Sequence, residues 1–153
     1  MTRKLITSLM LAGALLAAPA VATDAPSEDL VVSAEDKTLD EWLWQRRPVV
    51  VFADSANDPR FAEQMALIGA RLDALAERDV VVITDTDPKA RGEIRRALRP
   101  RGFMLAIIAK DGTIVARKPA PWDVREISRS IDKLPLRQQE VRDRSAQNDS
   151  TDR

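Results

Sequence analysis

Four aspartates, Asp54, Asp58, Asp85 and Asp87, stand in two short polar segments, each following an apolar run and each leading to a proline. Carboxylates converging at one sheet edge are hard oxygen ligands that could hold magnesium or calcium, or position a water for hydrolysis. The same residues have structural uses. Asp58 precedes Pro59 and Asp87 precedes Pro88, the spacing of a helix N-cap and first helical residue, while Asp54 and Asp85 suit turns. Arg60 adds a cation to the first helical turn. There it could complete an anion site for phosphate, sulfate or a carboxylate, or instead pair with Glu63 or a loop aspartate, or hydrogen-bond Gln64. The binding candidates are therefore Asp54, Ser55, Asn57, Arg60 and Asp85, with Asp54, Asp58, Asp85 and Asp87 as the alternative metal set. No catalytic residue and no cofactor is assigned.

The residue types that are missing restrict the chemistry further. The 153 residues contain no Cys, no His and no Tyr. Thiol nucleophiles, disulfide exchange, thiolate or imidazole metal sites and Ser-His-Asp or Cys-His catalysis are all excluded for these residues. Any metal would be bound through oxygen, which favours magnesium, calcium or manganese over zinc.

Arg3 and Lys4, the apolar run Leu5 to Ala18, and Ala20-Val21-Ala22 follow the pattern of a secretory signal peptide cleaved near Ala22. The apolar run is shorter than the roughly 20 residues of a membrane span, so none is expected. A periplasmic or secreted location follows. Removing these 22 residues from 153 leaves 131, enough for one domain. It also leaves 22 basic against 24 acidic residues, a net charge near −2 that offers no electrostatic case for nucleic acid. The expected organisation is a signal peptide over 1–22, a lead-in of uncertain order over 23–37, one domain over 38–143 and a disordered tail over 144–153.

The elements that must position the candidate residues are legible from periodicity and punctuation. Thr38-Leu39-Asp40-Glu41 has the form of a capping box before a short helix carrying Trp42 and Leu43. Val49 to Ala53 and Val80 to Thr84 are continuous apolar, β-branched runs, the mark of strands covered on both faces. Phe61, Met65, Ile68, Leu72 and Leu75 trace one face of a helix from Asp58 to about Glu77. A shorter helix holds Ala90, Ile94 and Leu98. Asp111-Gly112 marks a tight hairpin between Phe103–Ala109 and Ile114–Lys118. The last well-marked helix starts at Asp123, with Glu126 three residues on and Trp122 placed to staple against Ile127, and Pro135 interrupts it. Arg95, Arg96, Arg99 and Arg101 gather around Pro100 as a basic patch, either a solvated helix end or a docking surface for an acidic partner or cell-envelope component.

The order β-α-β-α-β-β-α, with two long crossovers and one hairpin, predicts an α/β thioredoxin-like fold: a mixed four-stranded sheet of order 2-1-3-4 with helices on both faces. Asp54 to Pro59 is the strand-to-helix junction where such folds carry their reactive group. The pieces VVVFADSANDPRFAEQ, IIAKDGTIVARK and IDKLPLRQQEVR resemble the DUDES-domain family, over roughly Leu39 to Arg142. That resemblance implies a thioredoxin-like fold in an extracytoplasmic setting and carries over no catalytic residue. Asp54-Ser55-Ala56-Asn57 occupies the place of the CxxC motif of redox thioredoxins. The functional expectation is an exported, non-redox binding module for a protein or cell-envelope partner, with the oxygen-ligand metal or anion site as its alternative.

Overall fold

The computed structural model describes residues 30–151. The segment expected to be a signal peptide lies outside the described residues, as do the lead-in up to residue 29 and residues 152–153. Among the described residues no helix is long and apolar enough to cross a membrane.

Five strands form one sheet: β1 (Val31–Ser33), β2 (Arg47–Phe52), β3 (Val80–Asp85), β4 (Met104–Ile108) and β5 (Ile114–Lys118), in spatial order β1-β3-β2-β4-β5. The expected 2-1-3-4 order is present as β3-β2-β4-β5. The fifth strand comes from the lead-in, where Val31 and Val32 pair in parallel with Val82 and Ile83 and cover the open edge of β3. β2 and β3 run parallel, whereas β4 runs antiparallel to both β2 and β5.

Alternation along the strands divides the core in two. Val49, Val51, Val80, Val82, Leu105 and Ile107 face α1 (Pro59–Gly69), α2 (Leu72–Ala76) and α4 (Val124–Asp132), through Ile68, Leu75, Ile127 and Ile131. The intervening residues Val50, Phe52, Val81, Ile83, Ala106 and Ile108 face α3 (Glu93–Leu98) through Ile94 and Leu98. Each fully buried Val, Leu or Ile contributes about 1.5–3 kcal/mol. Two-sided burial explains why the runs read as continuous rather than alternating.

Three elements depart from the expected helices. The segment Thr38–Trp42 forms a 3-10 turn over Leu39–Trp42, in which the Glu41 carboxylate accepts from the Thr38 N–H at 2.9 Å. The long helix from Asp58 breaks after Gly69, with Arg71 at φ −145°, and α2 restarts as a separate short helix. Glycine is a poor helix former, yet Leu72 and Leu75 keep the helical spacing across the break, so periodicity cannot reveal it. Finally α5 runs from Pro135 to Thr151, through the residues expected to form a disordered tail. From Val141 onward every described residue is exposed, and the hydroxyls of Ser145, Ser150 and Thr151 bond back to carbonyls of the preceding turn.

Gln64, fully buried on α1, donates to the Trp122 carbonyl at 3.0 Å and accepts from the Trp122 N–H at 2.7 Å. It thus satisfies both backbone polar groups of Trp122 and ties α1 to the loop before α4. This inward role removes Gln64 as a partner for Arg60. Trp122 packs on the same core as Ile127, as a staple requires, while the Glu126 side chain turns to Arg129 at 2.7 Å instead of to the helix start.

Candidate functional site

β2 ends at Phe52 and the chain leaves the sheet through Ala53 into Asp54, Ser55, Ala56 and Asn57, all four exposed. Ser55 Oγ accepts from the Asn57 N–H at 3.1 Å, and the Asp58 N–H donates to the Ser55 carbonyl at 3.1 Å, closing a turn. Asp58 then caps α1. Its Oδ1 accepts from the Arg60 N–H at 2.9 Å, and Pro59 occupies the first helical position, where its missing donor costs nothing.

Arg60 folds back onto its own cap. Nε and Nη2 donate to the two Asp58 carboxylate oxygens at 3.2 and 2.9 Å, and the guanidinium lies 5.6 Å from the Phe103 ring centroid. The side-chain hydrogen bond from Arg60, followed by its backbone N–H, holds the Asp58 carboxyl below its ordinary value of 3.8. The same bond raises Arg60. Among the partners open to Arg60, the structure selects a loop aspartate. The loop around Gly102, at φ +62°, packs beside these groups, close enough that a Cβ there would meet Asp54 Oδ2 at 3.9 Å.

The second polar segment is built differently. Asp85 is the last residue of β3 and sits opposite Phe52 in the register. It therefore continues the Val81 and Ile83 side of the sheet and points at α3. There Arg95 meets it through two bonds, Nε to Oδ2 at 3.0 Å and Nη2 to Oδ1 at 2.9 Å. Nη2 also donates to the carbonyls of Ala53 and Asp85, at 2.9 and 3.1 Å, and the guanidinium lies 5.4 Å from the Phe52 ring centroid. Both residues are 9 % exposed. Arg95 Nη1 reaches Asp54 only at 3.9 Å, leaving that carboxylate largely in solvent.

Arg95 is the residue that the sequence reading missed. The sequence gathers it with Arg96, Arg99 and Arg101 into a basic patch, but only the other three are exposed. The available signal was its position one residue after Ile94 and three before Leu98, on the buried side of α3. Asp87 does not cap that helix. Its Oδ1 accepts from the Lys89 N–H at 2.9 Å in a turn, and α3 begins later, after Gly92.

The four aspartates are consequently kept apart in function. Asp58 is committed to Arg60, Asp85 to Arg95 and Asp87 to its own turn. Among the described residues no group of three or more carboxylate, imidazole or thiolate side chains comes together to hold a metal ion. Of the binding candidates, Asp54, Ser55 and Asn57 remain presented to solvent, and with Asp58, Pro59 and Arg60 they line an open depression of about 430 Å³. Asp85 is buried against Arg95 and does not line that depression.

The sequence profile of a family described as a domain of unknown function, DUF4174, matches residues 38–140. The chain belongs to the DUF4174 family. A comparison with curated proteins finds no match. Among solved structures, this DUF4174 domain is similar to a reduced 2-Cys peroxiredoxin of Plasmodium vivax, at 14 % identity and TM-score 0.53, over 71 % of this chain and 91 % of that one. It is also similar to Prx1a of Plasmodium yoelii, at 16 % identity and TM-score 0.51, over 71 % and 86 % of the two chains. Identities this low show the fold alone: an α/β thioredoxin-like domain. Their thiol chemistry has no counterpart residue here, because the 153 residues contain no cysteine.

Proposed function

We propose that this DUF4174 domain is an exported binding module without redox activity, and that its strand-to-helix loop, Asp54 to Arg60, contacts a protein or cell-envelope partner. The observation that carries the reading is the contrast within the loop. Its base is fixed by the buried Asp85–Arg95 pair and the Asp58–Arg60 clamp, while Asp54, Ser55 and Asn57 are exposed. Rigid scaffolds presenting polar loop groups are the usual form of a recognition surface, since little entropy is lost on docking. Export is supported by the Arg3-Lys4, Leu5–Ala18 and Ala20-Val21-Ala22 pattern, and an extracytoplasmic setting by the DUDES-domain resemblance.

The metal alternative loses its support at Asp85, whose carboxylate oxygens are both bonded to a guanidinium that would repel an added cation. The test is capture from a cell-envelope extract. The double variant Asp54→Ala/Asn57→Ala is expected to lose at least tenfold in retention of the partner held by the wild type, with an unchanged melting temperature. Equal capture by both proteins removes the loop from the interface.

A further inference from the structure

We infer that a second site, on the opposite face of the sheet from α3 and between α2 and α4, binds a small tetrahedral oxyanion: a phosphate or sulfate group. A pocket of about 210 Å³ lies there, lined by Arg71, Arg78, Arg125, Ser128, Arg129 and Asp132 together with Ala74 and Val124. Liquid water takes about 30 Å³ per molecule, so this space holds a phosphate-sized group with some of its hydration. Four guanidinium groups against one carboxylate give the pocket a strongly positive lining.

The ion pairs already present do not use that charge up. Asp132 accepts from Arg78 Nε and Nη2 at 2.9 and 2.8 Å, with Arg137 Nε at 3.6 Å, so the single carboxylate is neutralised. Arg129 pairs with Glu126 at 2.7 Å, and Arg78 also meets Glu77 at 3.4 Å. Arg71 and Arg125 make no ion pair among the described residues, although both line the pocket. Forked guanidinium donors match the geometry of phosphate and sulfate oxygens.

An independent observation comes from Ser128. This residue is 8 % exposed and its buried Oγ has no hydrogen-bond partner. A buried hydroxyl is nearly always satisfied, and a helical serine normally bonds back to the preceding turn. Ser128 instead stays unpartnered while lining a cationic pocket. One side-chain torsion is enough to reorient its hydroxyl, which can donate to an anion oxygen or accept from a water beside it.

The site is separate from the Asp54 to Arg60 loop and stands whether or not that loop binds a partner. Its test is a thermal-denaturation titration of the full chain with inorganic phosphate and with sulfate, against chloride at constant ionic strength. Either oxyanion is expected to raise the melting temperature saturably, and the exposed-residue variant Arg71→Ala/Arg125→Ala to abolish the rise. Ser128→Ala is expected to weaken the apparent affinity severalfold. A response to one anion only identifies which group the pocket prefers. No saturable rise in the wild type, or an equal rise in the double-arginine variant, overturns the inference.

Discussion

Replacing Arg95 with methionine is expected to destabilise the domain by about 3–5 kcal/mol, because it leaves the buried Asp85 carboxylate without its counter-charge. For a domain of this size that is a fall of roughly 10–20 °C in Tm. The Ala53 carbonyl also loses its guanidinium donor, so the base of the candidate loop is released together with the charge. Adding Asp85→Asn to Arg95→Met removes the stranded charge and is expected to recover at least half of the loss. Replacing a buried pair as a unit is far milder than breaking it. Chemical denaturation of the single and double variants measures both quantities. A single-variant cost below about 1 kcal/mol would show that the pair does not hold the loop.

The second large effect is expected at the other end of the sheet. Arg47, 1 % exposed at the start of β2, donates to both Glu140 oxygens at 3.0 Å and to the Arg78 carbonyl at 2.9 Å. Lys110 joins the cluster, 2.9 Å from Glu140 and 2.8 Å from Asp79. Arg47→Met is expected to cost about 2–3 kcal/mol, less than Arg95→Met, because Lys110 still holds Glu140.

The same cluster sets the acid limb of stability. Burial pushes the Glu140 carboxyl up, but hydrogen bonds from Lys110 and Arg47, with their charges, outweigh it and leave the group below its ordinary 4.5. Burial likewise pushes the Asp132 carboxyl up, and Arg78 and Arg137 outweigh it, so that the group lies below its ordinary 3.8. Both groups are more acidic folded than unfolded. Their stabilisation is therefore complete above the ordinary values and is lost as pH falls below them toward the lowered folded values. In Arg47→Met that loss shrinks, so denaturant unfolding across the acid range should show a flatter decline than in the wild type. An unchanged slope would mean that Arg47 does not depress Glu140.

Local signals carried most of the fold. The Asp58-Pro59 start of α1, the Asp111-Gly112 hairpin and the two-sided apolar strands each follow from one stretch of chain, and each is present. What stayed hidden depends on distant partners. Arg47 precedes the apolar run that marks the strand, yet it opens β2 and meets Glu140, 93 positions later. Val31 and Val32 fall in the lead-in of uncertain order because an edge strand draws its order from β3. The four aspartates were legible as residues but not as a site, since whether they converge on an ion or separate onto arginines depends on where Arg95 points. A run of arginines beside a proline does not distinguish the buried member from the exposed ones, except through the helical offset from Ile94 and Leu98.

The claim that the Asp54 to Arg60 loop is a contact surface is tested most directly by placing a photoreactive residue at Ala56, exposed at the tip of the loop, and irradiating cells. A control carries the same residue at Asp111, exposed in the β4–β5 hairpin at the other end of the sheet. The expected result is a discrete adduct from position 56 that is absent from position 111. No adduct from position 56, or the same adducts from both positions, would contradict it.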